Sequence, residues 1–300
     1  MRLVFFGTPT DAATALDALV ADGQDIALVV TRPDTRRGRG GASSPSPVRA
    51  AAERHGIDVL TPVKAADVLD DISNSGADLG VVVAYGQILP PAIIDAFPFG
   101  LVNVHFSLLP RWRGAAPVER AVLAGDDETG VCIMRLEQGL DTGPVFASAR
   151  TPIDPNESAG ELRLRLGDLG AELLVRTLPE VSTVNPAPQQ GEATYADKLD
   201  VSEFQLDPNR PAPELHRVVR AGNPRPGAWM VVDGTRVKVL RATPSESIDS
   251  AAGSIDESAR LATVDGALTL DEVQPAGRRA MPGVEWRRGL RAPDVALDQA

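Results

Sequence analysis

The feature that most constrains this chain is the regular alternation of apolar, strand-like runs with helix-like patterns over its first 105 residues. The strand-like runs lie at residues 2–6, 26–31, 58–60, 79–84 and 100–105. Helical periodicity lies between them, at residues 11–20, 47–55, 67–73 and 91–97, and Ser46 is a candidate N-cap for the second helix. Such a βαβ rhythm predicts an α/β fold in which helices cover a mostly parallel sheet.

The pattern changes in the second half of the chain. Pro117 suits the first turn of a helix that runs to residue 124. After it, strands are predicted at 131–136 and 144–150, and a long amphipathic helix at 161–178. Residues 182–191 hold two prolines and two glutamines without an apolar period, which is typical of a linker. A short helix at 213–221 then precedes alternating runs at 228–232, 236–242, 261–263 and 267–273, a spacing that predicts a small β-barrel.

The composition excludes several classes of protein. Three hundred residues are enough for one large domain or two, and the single cysteine, Cys132, excludes a disulfide framework and a cysteine-rich metal site. The first apolar run stops at Gly7, so it has the length of a strand rather than of a signal peptide. No apolar stretch has the length of a membrane span. We therefore expect a soluble, cytoplasmic protein that requires no metal.

Three polar residues form the candidate reactive site. Asn103 and His105 end the fifth strand-like run, and the period of a strand places both side chains on one face, near the edge where open α/β sheets bind ligands. Asp141, flanked by Gly139 and Gly143, can approach that pair and orient the imidazole. An amide, an imidazole and a carboxylate suit acyl transfer without a covalent nucleophile. From the spacing alone, a buried structural histidine and a turn aspartate explain the same residues equally well.

The charge distribution bears on the binding of nucleic acid. The formal net charge of −11 opposes contact with RNA phosphates unless local clusters of basic residues provide it. One cluster, Arg36, Arg37 and Arg39, lies in a segment at 32–48 that is rich in Gly and Pro and is expected to be irregular. For a second cluster near the end of the chain, solvation of a helix face is an equally good explanation. This terminal cluster consists of Arg278, Arg279, Arg287, Arg288 and Arg291.

Several motifs carry a resemblance to a known family. Residues 103–118 read Asn-Val-His-Phe-Ser-Leu-Leu-Pro-Arg-Trp-Arg-Gly-Ala-Ala-Pro-Val, and further matching segments lie at 6–9, 32–48, 83–90, 193–196, 220–224 and 227–229. In these segments the chain closely resembles the folate-dependent formyltransferases, and its Arg-rich loop and carboxyl-terminal part resemble the branch that acts on tRNA. The resemblance implies a Rossmann-like catalytic domain at 1–181, a linker at 182–204 and an OB-like, tRNA-binding β-barrel at 205–300.

The resemblance also implies an activity and a site. The implied reaction, carried out by a monomer, is formyl transfer from N10 of 10-formyltetrahydrofolate to the α-amino group of methionyl-initiator tRNA. Asn103 and His105 would stabilise the oxyanion, and Asp141 would orient His105 and take up the proton that the amine loses. The implied folate-binding residues are Val83, Tyr85, Gly86, Leu89, Ser107, Leu108, Leu109 and Pro110. The implied tRNA-binding residues are Arg36, Arg37, Arg39 and Lys198.

Other activities are open alternatives, but they would not require all of the features described above. Formylation of a small amine, such as glycinamide ribonucleotide or an amino sugar on a nucleotide, needs neither the Arg-rich loop nor this C-terminal domain. Hydrolysis of the donor to formate is a second alternative, and a non-catalytic folate- or RNA-binding protein would not require the three polar residues. The chain departs from the family at Gly41, Ala42 and Val201, where lysines are common, which predicts fewer phosphate contacts.

Overall fold

The structure is a computed structural model, and it describes residues 1–36, 43–290, 292 and 295–298. The chain forms two compact units. The first comprises residues 1–117, 128–152 and 163–196, and the second comprises 118–127, 153–162 and 197–300.

The first unit is built on a sheet that has seven strands within the described residues. In sheet order these are β10 (Val145–Pro152), β9 (Glu128–Arg135), β7 (Leu101–His105), β6 (Leu79–Val83), β1 (Arg2–Gly7), β2 (Asp25–Val30) and β5 (Val59–Leu60). The five strands from β7 to β5 are parallel, whereas β9 is antiparallel to both of its neighbours. The chain builds outward on one side of β1 and then returns to the other side with β6. The topological switch point, where open α/β sheets bind their ligands, therefore lies between β1 and β6.

Helices connect the parallel strands as the sequence predicts. They are α1 (Thr10–Ala21), α2 (Pro47–Arg54), α3 (Leu69–Ser75) and α4 (Pro91–Ile94). Two later helices, α5 (Pro117–Ala124) before β9 and α6 (Ala159–Thr177) after β10, do not connect parallel strands. The N-cap at Ser46 is confirmed, because its hydroxyl accepts a hydrogen bond of 3.0 Å from the Arg49 amide. Ile72 and Ile93 bury their side chains in one core cluster with residues of β1 and β6. Packing of this kind, more than propensity, stabilises such short helices.

Two predicted elements differ from the structure. The helix predicted at 91–97 ends at Ile94. Pro98 disfavours a helical conformation at the last residue of the predicted range, the residue before it. That residue, Phe97, is instead buried in the core. The segment at 32–48 was expected to be irregular, but it contains an antiparallel pair of two-residue strands, β3 (Thr35–Arg36) and β4 (Ser43–Ser44).

The second unit contains α7 (Ala212–Gly222) and an antiparallel sheet, which confirms the predicted smaller β domain. Within the described residues the sheet has five strands: β12 (Ala228–Val232), β13 (Thr235–Ser245), β15 (Ala267–Pro275), β14 (Arg260–Ala262) and β16 (Met281–Pro282). Buried and partly exposed residues alternate along β12, as expected for a sheet with one face in the core.

The terminal arginine cluster is not one uniform cationic surface. A helix that the sequence did not predict, α8 (Gly283–Gly289), carries two of its members. Arg287 is buried, and its guanidinium donates hydrogen bonds to the backbone carbonyls of Ile255 and Ala292. Arg288 is exposed, as are Arg278 and Arg279 before the helix, and Arg291 lies outside the described residues.

Part of the predicted linker is bonded to the first unit. The backbone groups of Ala187 and Val145 form two hydrogen bonds, of 2.8 and 2.9 Å. Further along, β11 (Tyr195–Ala196) pairs in parallel with β8 (Arg113–Gly114). The domain boundaries at 181/182 and 204/205 stay predictions, but residues 187–196 supply backbone groups to the surroundings of the polar triad.

Candidate active site

Strand β7 positions the first two residues of the candidate site. Asn103 and His105 are separated by Val104, and strand geometry places their side chains on one face of the sheet. His105 is only 5% exposed, whereas Asn103 is partly exposed. Among the described residues, the carboxamide of Asn103 has no hydrogen-bond partner. Its NH₂ group is therefore free to donate to a substrate oxygen.

The ring of His105 is held from both sides. Nε2 lies 2.9 Å from the backbone carbonyl oxygen of Trp112. A carbonyl oxygen only accepts hydrogen bonds, so Nε2 carries a hydrogen and donates it. On the other side, Nδ1 lies 3.6 Å from Oδ2 of Asp141. His105 is thus a buried histidine with a backbone partner, and it also faces a carboxylate.

Asp141 reaches His105 from the far end of the strand. Strand β9 ends at Arg135, which pairs with Val102 near the start of β7. Because Asp141 lies close to His105 at the other end of β7, the segment after Arg135 returns along β7. Asp141 has a left-handed backbone with φ of +50°. Its carboxylate accepts a hydrogen bond of 2.8 Å from the Gly114 amide. The structure therefore brings all three predicted polar residues into one region, with Gly114 as an additional partner.

The segment after β7 forms one wall of the site. Leu108, Leu109 and Pro110 are partly exposed, as expected for residues that line a cleft. Ser107 differs, because it is fully buried and its hydroxyl donates a 2.6 Å hydrogen bond to the Arg111 carbonyl. In this structure Ser107 closes the turn and does not present its hydroxyl to a ligand.

The segment after β6 starts at the switch point. Val83, Tyr85 and Leu89 are buried, and burial raises the pKa of the Tyr85 hydroxyl to about 12. The Tyr85 carbonyl accepts a hydrogen bond of 2.9 Å from the Thr8 hydroxyl, which follows β1. Gly86 is exposed, with φ of +82°. Within the described part of the chain, the backbone amides of residues 86–89 make no hydrogen bond, so this edge offers donors to a planar polar ligand.

The residues predicted to bind tRNA are only partly described. Arg36 lies on β3, and Arg37 and Arg39 lie outside the described residues. Lys198 is an exposed residue of the second unit. The amino-terminal arm of the loop is anchored through Asp34, whose carboxylate forms a 2.8 Å ion pair with Arg49 of α2.

Several residues around the triad had no role assigned from the sequence. The Trp112 amide donates to the Thr194 hydroxyl at 2.9 Å, and Thr194 and Gly114 both belong to motifs that carry the family resemblance. Gln189, in the predicted linker, is bonded to the turn that carries Asp141. For Thr194 and Gly114 the motif matches were the only sequence signal, because their contacts join parts of the chain 82 and 27 positions apart. Gln189 lies outside those motifs and had no sequence signal.

The described residues contain neither a clustered metal site nor a membrane-spanning helix. In the described ranges, no group of three or more His, Cys, Asp or Glu side chains is arranged to hold a metal ion. No helix of the described chain combines the length and the apolar character that crossing a bilayer demands.

Comparison with known proteins assigns the chain to a family. Residues 1–178 match the family described as "Formyl transferase", and residues 198–291 match "Formyl transferase, C-terminal domain". A protein named methionyl-tRNA formyltransferase from Methylobacterium sp. (strain 4-46) is 46% identical over an alignment of 301 positions, and this alignment covers 97% of each chain.

Two solved structures share the fold. HypX from Aquifex aeolicus, solved in complex with tetrahydrofolic acid, is 17% identical with a TM-score of 0.69 over 95% of this chain and 46% of its own. Methionyl-tRNA formyltransferase from Clostridium thermocellum is 16% identical, with a TM-score of 0.58 over 81% of this chain and 93% of its own. With family matches at 1–178 and 198–291 and an identity of 46% over nearly the full length, this chain belongs to the formyl transferase family.

Proposed function

We infer that this protein transfers a formyl group to the α-amino group of methionyl-initiator tRNA. The observation that carries the inference is the 46% identity, over 97% of both chains, to a protein named methionyl-tRNA formyltransferase. The similarity to this relative extends through the C-terminal region, where residues 198–291 match "Formyl transferase, C-terminal domain". The arrangement of Asn103, His105 and Asp141 supports formyl-transfer chemistry but does not distinguish between acceptors.

We propose 10-formyltetrahydrofolate as the formyl donor. The edge at the switch point fits its flat, polar pterin ring, since the backbone amides of residues 86–89 are unpaired within the described chain and Gly86 is exposed. Leu108 and Leu109 are partly exposed on the neighbouring wall and offer apolar surface. Val83, Tyr85 and Leu89 support this edge from the core rather than contacting the ligand with exposed side chains. When bound, the donor supplies the formyl carbon.

Asn103 is the best-placed donor to the oxyanion that develops on the formyl oxygen. Its NH₂ group makes no hydrogen bond to the described residues, so no existing bond has to break. The N–H at Nε2 of His105 is already directed at the Trp112 carbonyl. His105 offers a second N–H only when Nδ1 is protonated. A carboxamide aimed at developing negative charge stabilises the transition state more than the ground state, which is what accelerates the reaction.

The pair of His105 and Asp141 is suited to accept the proton that the attacking amine loses. With the hydrogen on Nε2 fixed, the lone pair of Nδ1 is on the side of the Asp141 carboxylate, 3.6 Å away. A proton arriving at Nδ1 produces an imidazolium beside a carboxylate, and each charge stabilises the other. The Gly114 amide holds Oδ2 of Asp141 in place throughout. In this scheme the bond between the α-nitrogen and the formyl carbon would form, and the bond from the formyl carbon to N10 of the donor would then break. The proton held at Nδ1 of His105 would pass to N10, so that tetrahydrofolate leaves and no covalent enzyme intermediate is needed.

We propose that Arg36, Arg37, Arg39 and Lys198 contact the tRNA. Arginine suits this role, because its guanidinium can bind phosphates and guanine edges through two hydrogen bonds. We further propose that the protein acts as a monomer in the cytoplasm. Light scattering after size-exclusion chromatography tests the oligomeric state, and the mass of two chains would contradict it.

One assay distinguishes the possible activities. The protein is mixed with 10-formyltetrahydrofolate labelled in the formyl group and, separately, with methionyl-initiator tRNA, free methionine or glycinamide ribonucleotide. We expect label on the aminoacyl-tRNA alone. Label on glycinamide ribonucleotide would assign a small-amine formyltransferase, labelled formate without an acceptor would assign a hydrolase, and binding without turnover would exclude an enzyme.

A further inference from the structure

We propose that Gln189 is a positioning residue that holds Asp141 in place against His105. The inference rests on the proposed function, because it gives Asp141 a task that depends on its exact placement. Gln189 lies in the segment predicted as a linker, and within the described residues it makes no hydrogen bond to Asn103 or His105. Its importance comes from the hydrogen bonds of its carboxamide.

The carboxamide of Gln189 is saturated. Its Nε2 group donates to the backbone carbonyls of Asp141 and Gly143, at 2.8 and 2.7 Å. Its Oε1 atom accepts from Nε and Nη2 of Arg113, at 3.0 and 2.7 Å. Carbonyl oxygens only accept and a guanidinium only donates, so the partners fix which end of the amide is which. Gln189 therefore has one orientation in which all its bonds are made.

These bonds close a ring around Asp141. Gln189 binds the backbone of Asp141 and the side chain of Arg113. The next residue after Arg113 is Gly114, whose amide binds the Asp141 carboxylate. The main chain of Asp141 is thus linked to Arg113 through Gln189, and its side chain is bonded directly to the next residue, Gly114.

The turn around Asp141 requires such support. Asp141 has φ of +50°, a left-handed conformation that is uncommon for non-glycine residues. Its neighbours Leu140 and Thr142 are exposed, so core packing does not hold the turn. The distance from Oδ2 to Nδ1 of His105 is 3.6 Å. The carboxylate stabilises a positive charge on the imidazole across this gap, and that stabilisation depends on the distance.

Two variants separate positioning from simple anchoring of the segment. Gln189→Glu keeps an acceptor for Arg113 but loses both donors to the turn and places a negative charge beside two carbonyl oxygens. Gln189→Ala loses all the bonds. If Gln189 positions Asp141, we expect both variants to lower kcat about tenfold while the KM for the folate donor stays near the wild-type value. If Gln189 only anchors the segment through Arg113, Gln189→Glu keeps wild-type turnover, and the proposal is overturned.

The neighbouring residue Gln190 provides the control. Combining Gln189→Glu with Asp141→Asn tests whether Gln189 acts through Asp141. Gln190 is exposed, and Gln190→Ala should behave as wild type. In an Asp141→Asn background, Gln189→Glu should cause no further loss of kcat, because the residue through which it acts is already altered. Independent, multiplicative losses would overturn the proposal.

A measurement without substrate keeps this inference separate from the proposed function. Hydrogen exchange of the Gly114 amide reports its bond to Asp141 directly. We expect faster exchange in Gln189→Glu than in Gln190→Ala and wild type. Equal exchange rates would reject the positioning role even in a protein that formylates tRNA. A wild-type protein that formylates no tRNA but shows the exchange difference would reject only the proposed function.

Discussion

At the scale of single residues, the two polar side chains of β7 differ in the hydrogen bonds that they already make. The Asn103 carboxamide has no partner within the described chain, whereas the His105 ring contacts Trp112 and faces Asp141. Asn103 can therefore respond to charge on a substrate without losing a bond. His105 can respond only by gaining a proton.

We expect Asn103→Ala to lower the rate of formyl transfer about 10²–10³-fold, because it removes a donor to the developing oxyanion. Single-turnover kinetics measure the rate, and fluorescence titration with the folate measures binding, which should stay close to wild type. His105→Ala should show the same separation of rate from binding. Loss of folate affinity in parallel with the rate would assign these residues to binding instead.

Replacing the carboxylate tests the proton acceptor. Asp141→Asn keeps an oxygen that can accept from Gly114, but it removes the negative charge beside His105. Formylation should fall roughly 10²–10⁴-fold if Asp141 orients the imidazole and takes up the proton. The rate is measured with saturating methionyl-tRNA and folate donor. Activity near that of wild type would leave Asp141 as a turn residue only.

The sequence predicted the residues of the triad but not what holds them. The period of a strand was enough to place Asn103 and His105 on one face, because that rule is local. The bond from Gly114 to Asp141 and the one from His105 to Trp112 depend on how the turns after β7 and β9 fold back. Such contacts carry no periodic signal. The same is true of Ser107, whose hydroxyl closes a turn instead of facing the predicted cleft.

At the scale of elements, the shortest ones have the greatest effect on the site. Strands β8 and β11 are two residues each, and their pairing places the Gly114 amide next to Asp141. The longer strands and helices of the first unit were predicted to within a few residues. The pairs β3–β4 and β8–β11 were not, because two residues cannot show an alternation of apolar and polar positions.

Gly114 is the residue in β8 that tolerates no side chain. Its φ is +122°, and an added Cβ would lie 2.7 Å from the Ala196 carbonyl oxygen. We expect Gly114→Ala to lower the free energy of unfolding by about 1–3 kcal/mol and to reduce formylation, since the pairing and the bond to Asp141 are both disturbed. Urea titration measures the first effect. Gly289→Ala, whose Cβ would have no neighbour within 4 Å, is the control and should be at least as stable as wild type, because alanine favours the helix α8 more than glycine does. Equal stability of both variants would contradict the argument.

At the scale of the whole molecule, the α/β unit with a smaller β domain was predicted correctly, because long periodic segments dominate its sequence. Because the net charge is −11, the protein can bind RNA only where basic residues are clustered locally. We propose that binding depends on a few basic residues, which are Arg36, Arg37, Arg39 and Lys198. The terminal arginines contribute less than their number suggests, since Arg287 is buried and bonded to backbone carbonyls.

We expect Arg39→Ala to impair formylation of methionyl-tRNA without changing the affinity for the folate. If Arg39 contacts a phosphate, the slope of log affinity for tRNA against log salt should also become shallower by about 1. Binding is measured at several salt concentrations, together with proteolysis of the loop, which tRNA should suppress. Arg150→Ala, an exposed arginine of β10, is the control. Unchanged tRNA kinetics in Arg39→Ala would favour a small amine as the acceptor.

The pairing of β11 with β8 also determines how late in synthesis the surroundings of Asp141 can be completed. The last strand of the main sheet ends at Pro152 and α6 ends at Thr177, whereas Gln189, Thr194 and Ala196 follow later in the chain. A ribosome adds about 5–20 residues per second, so every strand of the main sheet has been synthesised before these residues exist. A nascent chain can therefore fold its sheet while the surroundings of Asp141 are still unmade. We therefore expect the proposed active site to be completed late in synthesis, after the sheet that bears Asn103 and His105 has been able to fold.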